Sequence, residues 1–315
     1  MRFAIYGSGG LGGYYGARLA AAGHEVAFIA RGEQLAAMRA HGLRLASPRG
    51  DVHLERPLAT DDPAAIGPVD VVLVAVKSWQ IPDVARAMSP LLGERTLVLP
   101  FLNGVEAADQ IAEVIGARHV LGGLSRIFSR VESPGVIRHF NPSDYAAFGE
   151  LDGGTSGRVR ELAEVFAAAG IETEVLDDVR TALWQKLLTV TSWAALGALA
   201  RSPIGVMRAL PETRELIDRS MSEGLAVGRA RGHALGDEFK TELWDFYDAL
   251  PPDATASMQR DIWAGKPSEL DAWNGAVCRF GAAAGIDTPV HTFAYHTLLP
   301  LERRARGEIE AHGGP

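Results

Sequence analysis

The feature that most constrains this chain is Gly7-Ser8-Gly9-Gly10-Leu11-Gly12, a G-x-G-x-x-G run beginning at the seventh residue. It directly follows the β-rich segment Phe3-Ala4-Ile5-Tyr6 and opens an Ala- and Leu-rich helical pattern from Leu11 to Ala22. Strand, glycine turn and helix in that order are the context in which such a run binds a dinucleotide. Gly7 permits the tight turn, Gly9 lets the backbone approach a pyrophosphate, and Gly12 lets the helix lie close on the strand. The N–H groups at the helix start favour the negative charge of the pyrophosphate. Ser8, Gly10 and Leu11 complete this set of cofactor-binding candidates. The competing reading is a glycine-rich strand-to-helix loop with no ligand.

The end of the second strand selects the cofactor. Val26-Ala27-Phe28-Ile29 runs through Ala30 into Arg31, with no acid before Glu33. NAD-binding proteins usually place Asp or Glu here, against the ribose 2′-hydroxyl. A guanidinium suits a 2′-phosphate, which an acid would repel. NADP(H) is therefore expected, with Arg31 on its 2′-phosphate; the bland alternative is a solvated loop arginine.

Further along, Val69-Asp70-Val71-Val72-Leu73-Val74-Ala75-Val76 is a nearly continuous β-branched run, and Thr96-Leu97-Val98-Leu99 is another. Such runs suit strands buried on both faces of a parallel sheet. Their alternation with helical patterns predicts a doubly wound α/β half of Rossmann type. From about Val120 to Phe148 shorter strands are expected, with a turn at Ser133-Pro134-Gly135, as an antiparallel extension of that sheet. After about Asp177 the pattern becomes helical: Ala182 to Leu188, Glu212 to Arg231 and Phe239 to Leu250. We therefore expect a Rossmann-type domain over 1–177 and an all-α substrate and catalytic domain over 178–315, with no internal repeat. The tail Ala311-His312-Gly313-Gly314-Pro315 reads as frayed.

Composition narrows the classes of function. Lys and Arg total 31 against 39 Asp and Glu, a net charge of −8, so clustered basic charge for a nucleic-acid backbone is lacking. The single cysteine, Cys278, excludes an intramolecular disulfide framework and a multi-Cys metal site. The nine histidines form no H-x-x-x-H or H-E-x-x-H pair, so no metal is expected. No signal peptide is expected at the N-terminus and no apolar run spans a bilayer. A cytoplasmic, reduced protein is expected, with no membrane partner.

Two more strand ends carry polar residues. Lys77 follows the Val69–Val76 run, and Asn103-Gly104 follows Thr96–Leu99 by a short loop. Ligands of open parallel sheets bind at the carboxyl ends of the strands. Asn103 is thus placed toward where a nicotinamide and its substrate would meet. The alternatives are a turn dipeptide for Asn103-Gly104 and a surface lysine for Lys77.

Taken together, these residues resemble the ketopantoate reductase (2-dehydropantoate 2-reductase) family over nearly the whole chain. The resemblance is carried by the run Gly7–Gly13, by Val76-Lys77 with Gln80, and by Asn103-Gly104-Val105-Glu106. It continues through Ser133-Pro134-Gly135-Val136-Ile137 and Leu183-Trp184-Gln185-Lys186-Leu187. It is strongest in Ser257-Met258-Gln259-Arg260-Asp261, Gly265-Lys266-Pro267-Ser268-Glu269-Leu270-Asp271, Asn274-Gly275 and Gly285 to Val290. L-W-x-K-L together with S-M-x-x-D and G-x-P-x-E is far more specific than the glycine run.

The resemblance implies NADPH-dependent reduction of a 2-oxo acid, 2-dehydropantoate to pantoate on the way to pantothenate, in a cleft between the two domains. It implies Lys186 as the general acid. An ammonium near the ketone oxygen stabilises the charge that hydride transfer leaves there and supplies the proton. Burial is expected to lower its pKa. Asn103 is implied as a catalytic residue in contact with substrate and cofactor. Ser257 is implied as donor to the substrate carboxylate. Glu269 is implied as acceptor from a substrate hydroxyl, near the cofactor and Lys186. Lys77 and Arg31 are implied to serve the cofactor. Without the resemblance, Lys186 reads as a solvated residue on an amphipathic helix, and Glu269 as a complement to a helix N-terminus.

One departure stands out. The family usually carries asparagines on the helix after the lysine, whereas here Val190 and Ala194 occupy those positions. A site that loses hydrogen-bond partners discriminates strongly against a polar substrate. Thr189, Thr191 or Ser192 could compensate; Trp193 reads as core. Two other functions are weighed. One is a reductase or dehydrogenase of another 2-oxo or hydroxy acid on the same fold. The 3-hydroxyacid dehydrogenases are a case, with Gly122-Gly123-Leu124-Ser125 faintly similar to their substrate loop but no Asn directly behind Lys186. The other is a non-catalytic NADP-sensing regulator, which steady NADPH oxidation would exclude. Helical second domains of this kind often build homodimers.

Overall fold

The computed structural model describes residues 1–310, except for the side chain of Pro142. The tail expected to fray, 311–315, lies outside the described residues. The chain divides into two compact units. The first contains residues 1–102 and 106–182; the second contains 103–105 and 183 onward. The boundary expected between Asp177 and Asp178 thus precedes the observed division, and the loop 103–105 groups with the helical unit.

The first unit opens β1 (Arg2–Tyr6), α1 (Gly10–Ala21), β2 (Glu25–Ile29), α2 (Gly32–His41), β3 (Leu43–Ala46), β4 (Val52–Leu54) and β5 (Leu58–Thr60). It continues with β6 (Val69–Val74), α3 (Ile81–Ala87), β7 (Leu92–Pro100), α4 (Ala107–Ile115), β8 (Leu121–Ser133), β9 (Val136–Glu150), α5 (Gly157–Ala168) and β10 (Thr173–Val175). One sheet has the order β5-β2-β1-β6-β7 with every pair parallel. Side chains alternate across it. Phe3, Ile5, Val71, Leu73, Leu97 and Leu99 enter one apolar cluster. Ala4, Tyr6, Val72, Val74 and Val98 enter another on the opposite face. Apart from Asp70, exposed near its start, β6 is buried on both faces, which is why Val71 to Val74 are all apolar.

The segment 120–148 departs from expectation. Its strands are long, 13 and 15 residues, and they form an antiparallel hairpin in a separate sheet, ordered β10-β9-β3-β4 with β8 on β9. β9 pairs in parallel with β3 and β10, and only an isolated parallel bridge, Val98 to Val120, links β8's approach to the first sheet. This second sheet packs on α1. The Tyr14 hydroxyl donates to Asp144 at 2.7 Å, and Tyr15 pairs with Ser125 at 2.7 Å. The turn expected at Ser133-Pro134-Gly135 joins β8 to β9, with Gly135 at φ +79°.

The second unit is helical. It comprises most of α6 (Val179–Ala200), then α7 (Ile204–Ala209), α8 (Pro211–Ala230), α9 (Glu238–Ala249), α10 (Ser257–Trp263), α11 (Ala276–Ala284) and α12 (Pro289–Ala305). A π-helical turn, Asp271–Gly275, leads into α11. Trp184, Leu187, Leu188 and Ala194 to Ala198 make α6 apolar around most of its circumference, the mark of a central helix. Trp184 is fully buried, with its indole N–H on the Gly224 carbonyl at 3.1 Å. A Cβ at Gly228 would overlap that indole, so α8 needs glycine there. Among the described residues, no helix is long and apolar enough to cross a membrane.

Candidate active site

Because β1, β2 and β6 are parallel neighbours, the residues that follow them emerge along one edge of the sheet. Gly7, Arg31 and Lys77 all do so. Gly7 turns at φ +101°, and a Cβ there would lie 2.7 Å from the Ala75 carbonyl oxygen. A Cβ at Gly12 would overlap the Gly7 carbonyl and touch Ile5, so α1 crosses β1 more closely than any other residue permits. At Gly9 a Cβ would meet nothing within 4 Å, so the backbone faces open space. Gly10 has a different reason. Its Cβ would come 2.7 Å from the Ser129 carbonyl oxygen, because β8 crosses the start of α1. Ser8 is buried, and its hydroxyl donates to the Ile29 carbonyl at 3.2 Å. Leu11 lies half-buried in the first turn of α1.

The start of α1 has no side-chain cap and no acidic residue in its first turn. Its partial positive charge is thus not met by any acid of its own first turn. Open backbone at Gly9 and an uncapped helix start fit a pyrophosphate. Arg31 caps α2 in extended conformation and is exposed. Its guanidinium stands beside the Tyr6 hydroxyl; burial pushes the Tyr6 phenol above its ordinary value while Arg31 pulls it back. Lys77 is half-buried, its backbone N–H donating to Gln80 Oε1 at 3.1 Å and its ammonium 5.8 Å from the Trp79 ring centre.

The implied catalytic residues lie in the second unit. On α6, Lys186 and Val190 are one turn apart and both half-buried: Lys186 falls between the buried pairs Leu183-Trp184 and Leu187-Leu188, and Val190 between Leu187-Leu188 and the buried stretch from Thr191 onward. Ala194, a further turn along, is fully buried, and Trp193 lies in the core with its indole N–H on the Thr189 carbonyl at 3.1 Å. Asn103 Nδ2 donates to Glu269 Oε2 at 3.5 Å. Glu269 is only 5% exposed. The preceding residue anchors it: Ser268 donates its backbone N–H and its hydroxyl to Glu302 on α12. Glu302 in turn pairs with Arg306 at 2.6 Å, and Arg306 also donates to the Ser268 carbonyl at 3.0 Å. Ser257 is the first residue of α10 and half-buried. The structure thus brings Asn103 to Glu269 within the helical unit, and gathers the glycine run, Arg31 and Lys77 in the first.

Several residues beside these candidates carry no signal in the sequence. Gln34 on α2 donates to the Ser8 carbonyl at 2.9 Å and accepts from the Gly135 N–H at 2.9 Å. Tyr6 adjoins Arg31, and Glu302 fixes the segment before Glu269. A lone Gln, Tyr or Glu carries no motif. Only the spacing of Gln34 three residues past Arg31, on the first turn of the helix after β2, hints at proximity to the glycine run.

Comparison with known proteins accords with this geometry. Residues 3–153 match the family model described as Ketopantoate reductase PanE/ApbA, and 178–302 match Ketopantoate reductase PanE/ApbA C terminal. A 2-dehydropantoate 2-reductase of Nostoc sp. is 29% identical over 97% of this chain and 96% of its own length. The crystal structure of a PanE/ApbA family ketopantoate reductase from Ralstonia eutropha superposes with a TM-score of 0.89 at 33% identity, covering 97% of this chain and all of that one. D-Mandelate dehydrogenase, solved with NADH and anilino(oxo)acetate, shares the fold, with a TM-score of 0.88 at 21% identity over 97% of this chain and all of its own.

Proposed function

The chain belongs to the ketopantoate reductase family, and on that premise we propose that it reduces a 2-oxo acid with NADPH, 2-dehydropantoate being the first candidate. As a family member it is an NAD(P)-dependent oxidoreductase acting on CH–OH groups. The observation that carries the proposal is the Asn103–Glu269 contact, a polar pair made in the unit that also bears Lys186.

When bound, the dinucleotide supplies a hydride to the ketone carbon. The remaining work falls to the protein. Lys186 holds a proton on Nζ and gives it to the ketone oxygen as that oxygen gains charge, leaving the lysine neutral and the product a hydroxyl. Asn103 offers its amide to orient the reacting groups, and its bond to Glu269 limits the rotamers from which it does so. Ser257 donates to the substrate carboxylate, and Glu269 accepts from a substrate hydroxyl and serves the cofactor. Arg31 pairs with the 2′-phosphate, and Lys77 adds positive charge beside the dinucleotide. The glycine run binds the pyrophosphate on backbone N–H groups.

A second reading of the substrate rests on α6. Val190, half-buried, offers an isopropyl group one turn from Lys186, whereas Ala194, two turns on, is fully buried in the core and presents nothing to a substrate. A 2-oxo acid with an apolar side chain in place of the hydroxyl of 2-dehydropantoate would leave no polar group unpaired there. A panel of hydroxylated and apolar 2-oxo acids, followed by NADPH oxidation, tests both. Saturable turnover supports the reductase reading and its ranking names the substrate class. NADPH binding with no turnover on any of them would replace it with a sensor.

A further inference from the structure

Gln34 joins three segments that are far apart in sequence. It lies in the first turn of α2 and is half-buried. Its amide nitrogen donates to the carbonyl of Ser8, inside the glycine run, at 2.9 Å. Its amide oxygen accepts from the N–H of Gly135, at the tip of the β8–β9 hairpin, also at 2.9 Å. Donor and acceptor ends are both used, so the amide has one orientation: reversed, it would set oxygen against the Ser8 oxygen and NH₂ against the Gly135 N–H.

The bond to Ser8 has a directional consequence. No cis peptide occurs among the described residues, and in a trans peptide the carbonyl and the next N–H point in opposite directions. Holding the Ser8 carbonyl toward α2 therefore aims the Gly9 N–H away from α2. That is the residue whose missing side chain leaves open space at the start of α1. The hairpin end of the clamp is rigid in its turn, because β8 crosses Gly10 and Ile137 of β9 packs on Gly13.

We propose that Gln34 is a positioning residue for the dinucleotide: it presets the Ser8–Gly9 peptide so that the Gly9 N–H meets the pyrophosphate without reorganisation. This rests on the reading of the glycine run as a dinucleotide site. Both ends of the Gln34 amide are engaged by the backbone of Ser8 and Gly135, so its effect falls on the pyrophosphate common to NADPH and NADH, and not on the 2′-phosphate that separates them.

The test is direct titration of NADPH and NADH, by calorimetry in the absence of any 2-oxo acid, into wild type, Gln34→Met and Gln34→Ala, with thermal melting of each free protein. Methionine keeps the length of the side chain without its hydrogen bonds, and alanine covers the case in which methionine packs badly. Loss of one oriented hydrogen bond predicts Kd values raised by about 5- to 10-fold. The rise should be equal for NADPH and NADH, so that their ratio stays within about two-fold. Unchanged Kd values in both variants would overturn the proposal, whether or not the melting temperature falls. A loss confined to NADPH would also overturn it, because the effect would then lie at the 2′-phosphate. If wild type binds neither dinucleotide, the functional reading itself fails and this inference falls with it.

Discussion

Asn103 and Glu269 stand 166 positions apart in sequence, yet the amide of one donates to the carboxylate of the other at 3.5 Å. The loop bearing Asn103 leaves the last strand of the parallel sheet, but its three residues 103–105 belong to the helical unit. Val105 packs on that unit's core, and Gly104, at φ +103°, lets the loop pass 3.3 Å, in Cβ terms, from the Ala272 carbonyl oxygen. If this pair orients the reacting groups, Asn103→Ala should lower kcat by about 10²-fold, the usual scale for removing an oriented donor, with NADPH affinity changed far less. Single-turnover and binding measurements separate the two.

Arg31 is exposed just past the end of β2, with no acidic residue between it and the strand. Arg31→Ala should raise the Kd of NADPH by about 10- to 100-fold, the worth of charge-assisted hydrogen bonds. NADH should be nearly unaffected. Parallel titrations of the two dinucleotides check this, and it is the reverse of the signature expected at Gln34.

If Val190 lines the substrate site as proposed, it should set a preference among substrates. Val190→Asn places an amide one turn from Lys186 and should shift the kcat/KM ratio toward hydroxyl-bearing 2-oxo acids and away from apolar ones. A shift of about 10-fold or more is expected, since a polar group that gains or loses its partner is discriminated more sharply than a methylene. Competition assays with one substrate of each kind give the ratio directly.

Stability should depend on pH through His291. This residue is buried between α8 and the π-helical turn. One ring nitrogen lies 3.0 Å from the Ser220 hydroxyl and from the Ser220 carbonyl, and the other lies 3.0 Å from the Asn274 amide. Burial lowers its pKa from 6.5 to about 4. Between those values the unfolded chain binds more protons than the native one. The stabilisation is therefore complete above pH 6.5 and is lost as pH falls toward 4. About 3 kcal/mol should disappear over that window. Urea unfolding of wild type and His291→Asn across that range tests it, since the variant should lack this part of the slope.

Glu302 should matter for both stability and activity. It is buried, holds Ser268 immediately before Glu269, and pairs with Arg306. Glu302→Gln removes the charge but keeps the shape. The expected cost is about 2 kcal/mol, less than for a wholly buried pair, because the Arg306 side chain is 20% exposed and can hydrate. Denaturant midpoints measure the cost, and a parallel loss of kcat in the still-folded variant would show that Glu269 has shifted.

Much of this molecule was readable in advance because its strongest signals are local. The run before Gly7 and the β-branched residues 69–74 had no alternative to strands of a parallel sheet, and the helical pattern after Val179 was continuous. What the sequence does not show depends on tertiary pairing. β3, β4, β5 and β10 have only three or four residues each, too few for a periodicity to declare itself. The sequence marks the β8–β9 hairpin as antiparallel but points to the first sheet, since nothing local says that β9 pairs with β3. From sequence Gly10 reads only as part of the cofactor loop; the structure adds that its missing side chain makes room for β8. Lys186 was legible only through resemblance, because one lysine on an apolar helix carries no chemistry of its own, and Gln34 was not legible at all.

The central claim is that Lys186 protonates the oxygen of a 2-oxo acid as NADPH reduces it. The direct measurement is steady-state and single-turnover NADPH oxidation with 2-dehydropantoate and an apolar 2-oxo acid, comparing wild type with Lys186→Ala. The account predicts saturable turnover by wild type on at least one of them. It predicts a fall of about 10²- to 10⁴-fold in the chemical step of the variant, with NADPH binding intact. Wild-type turnover that survives in Lys186→Ala would contradict it and move the proton donor elsewhere.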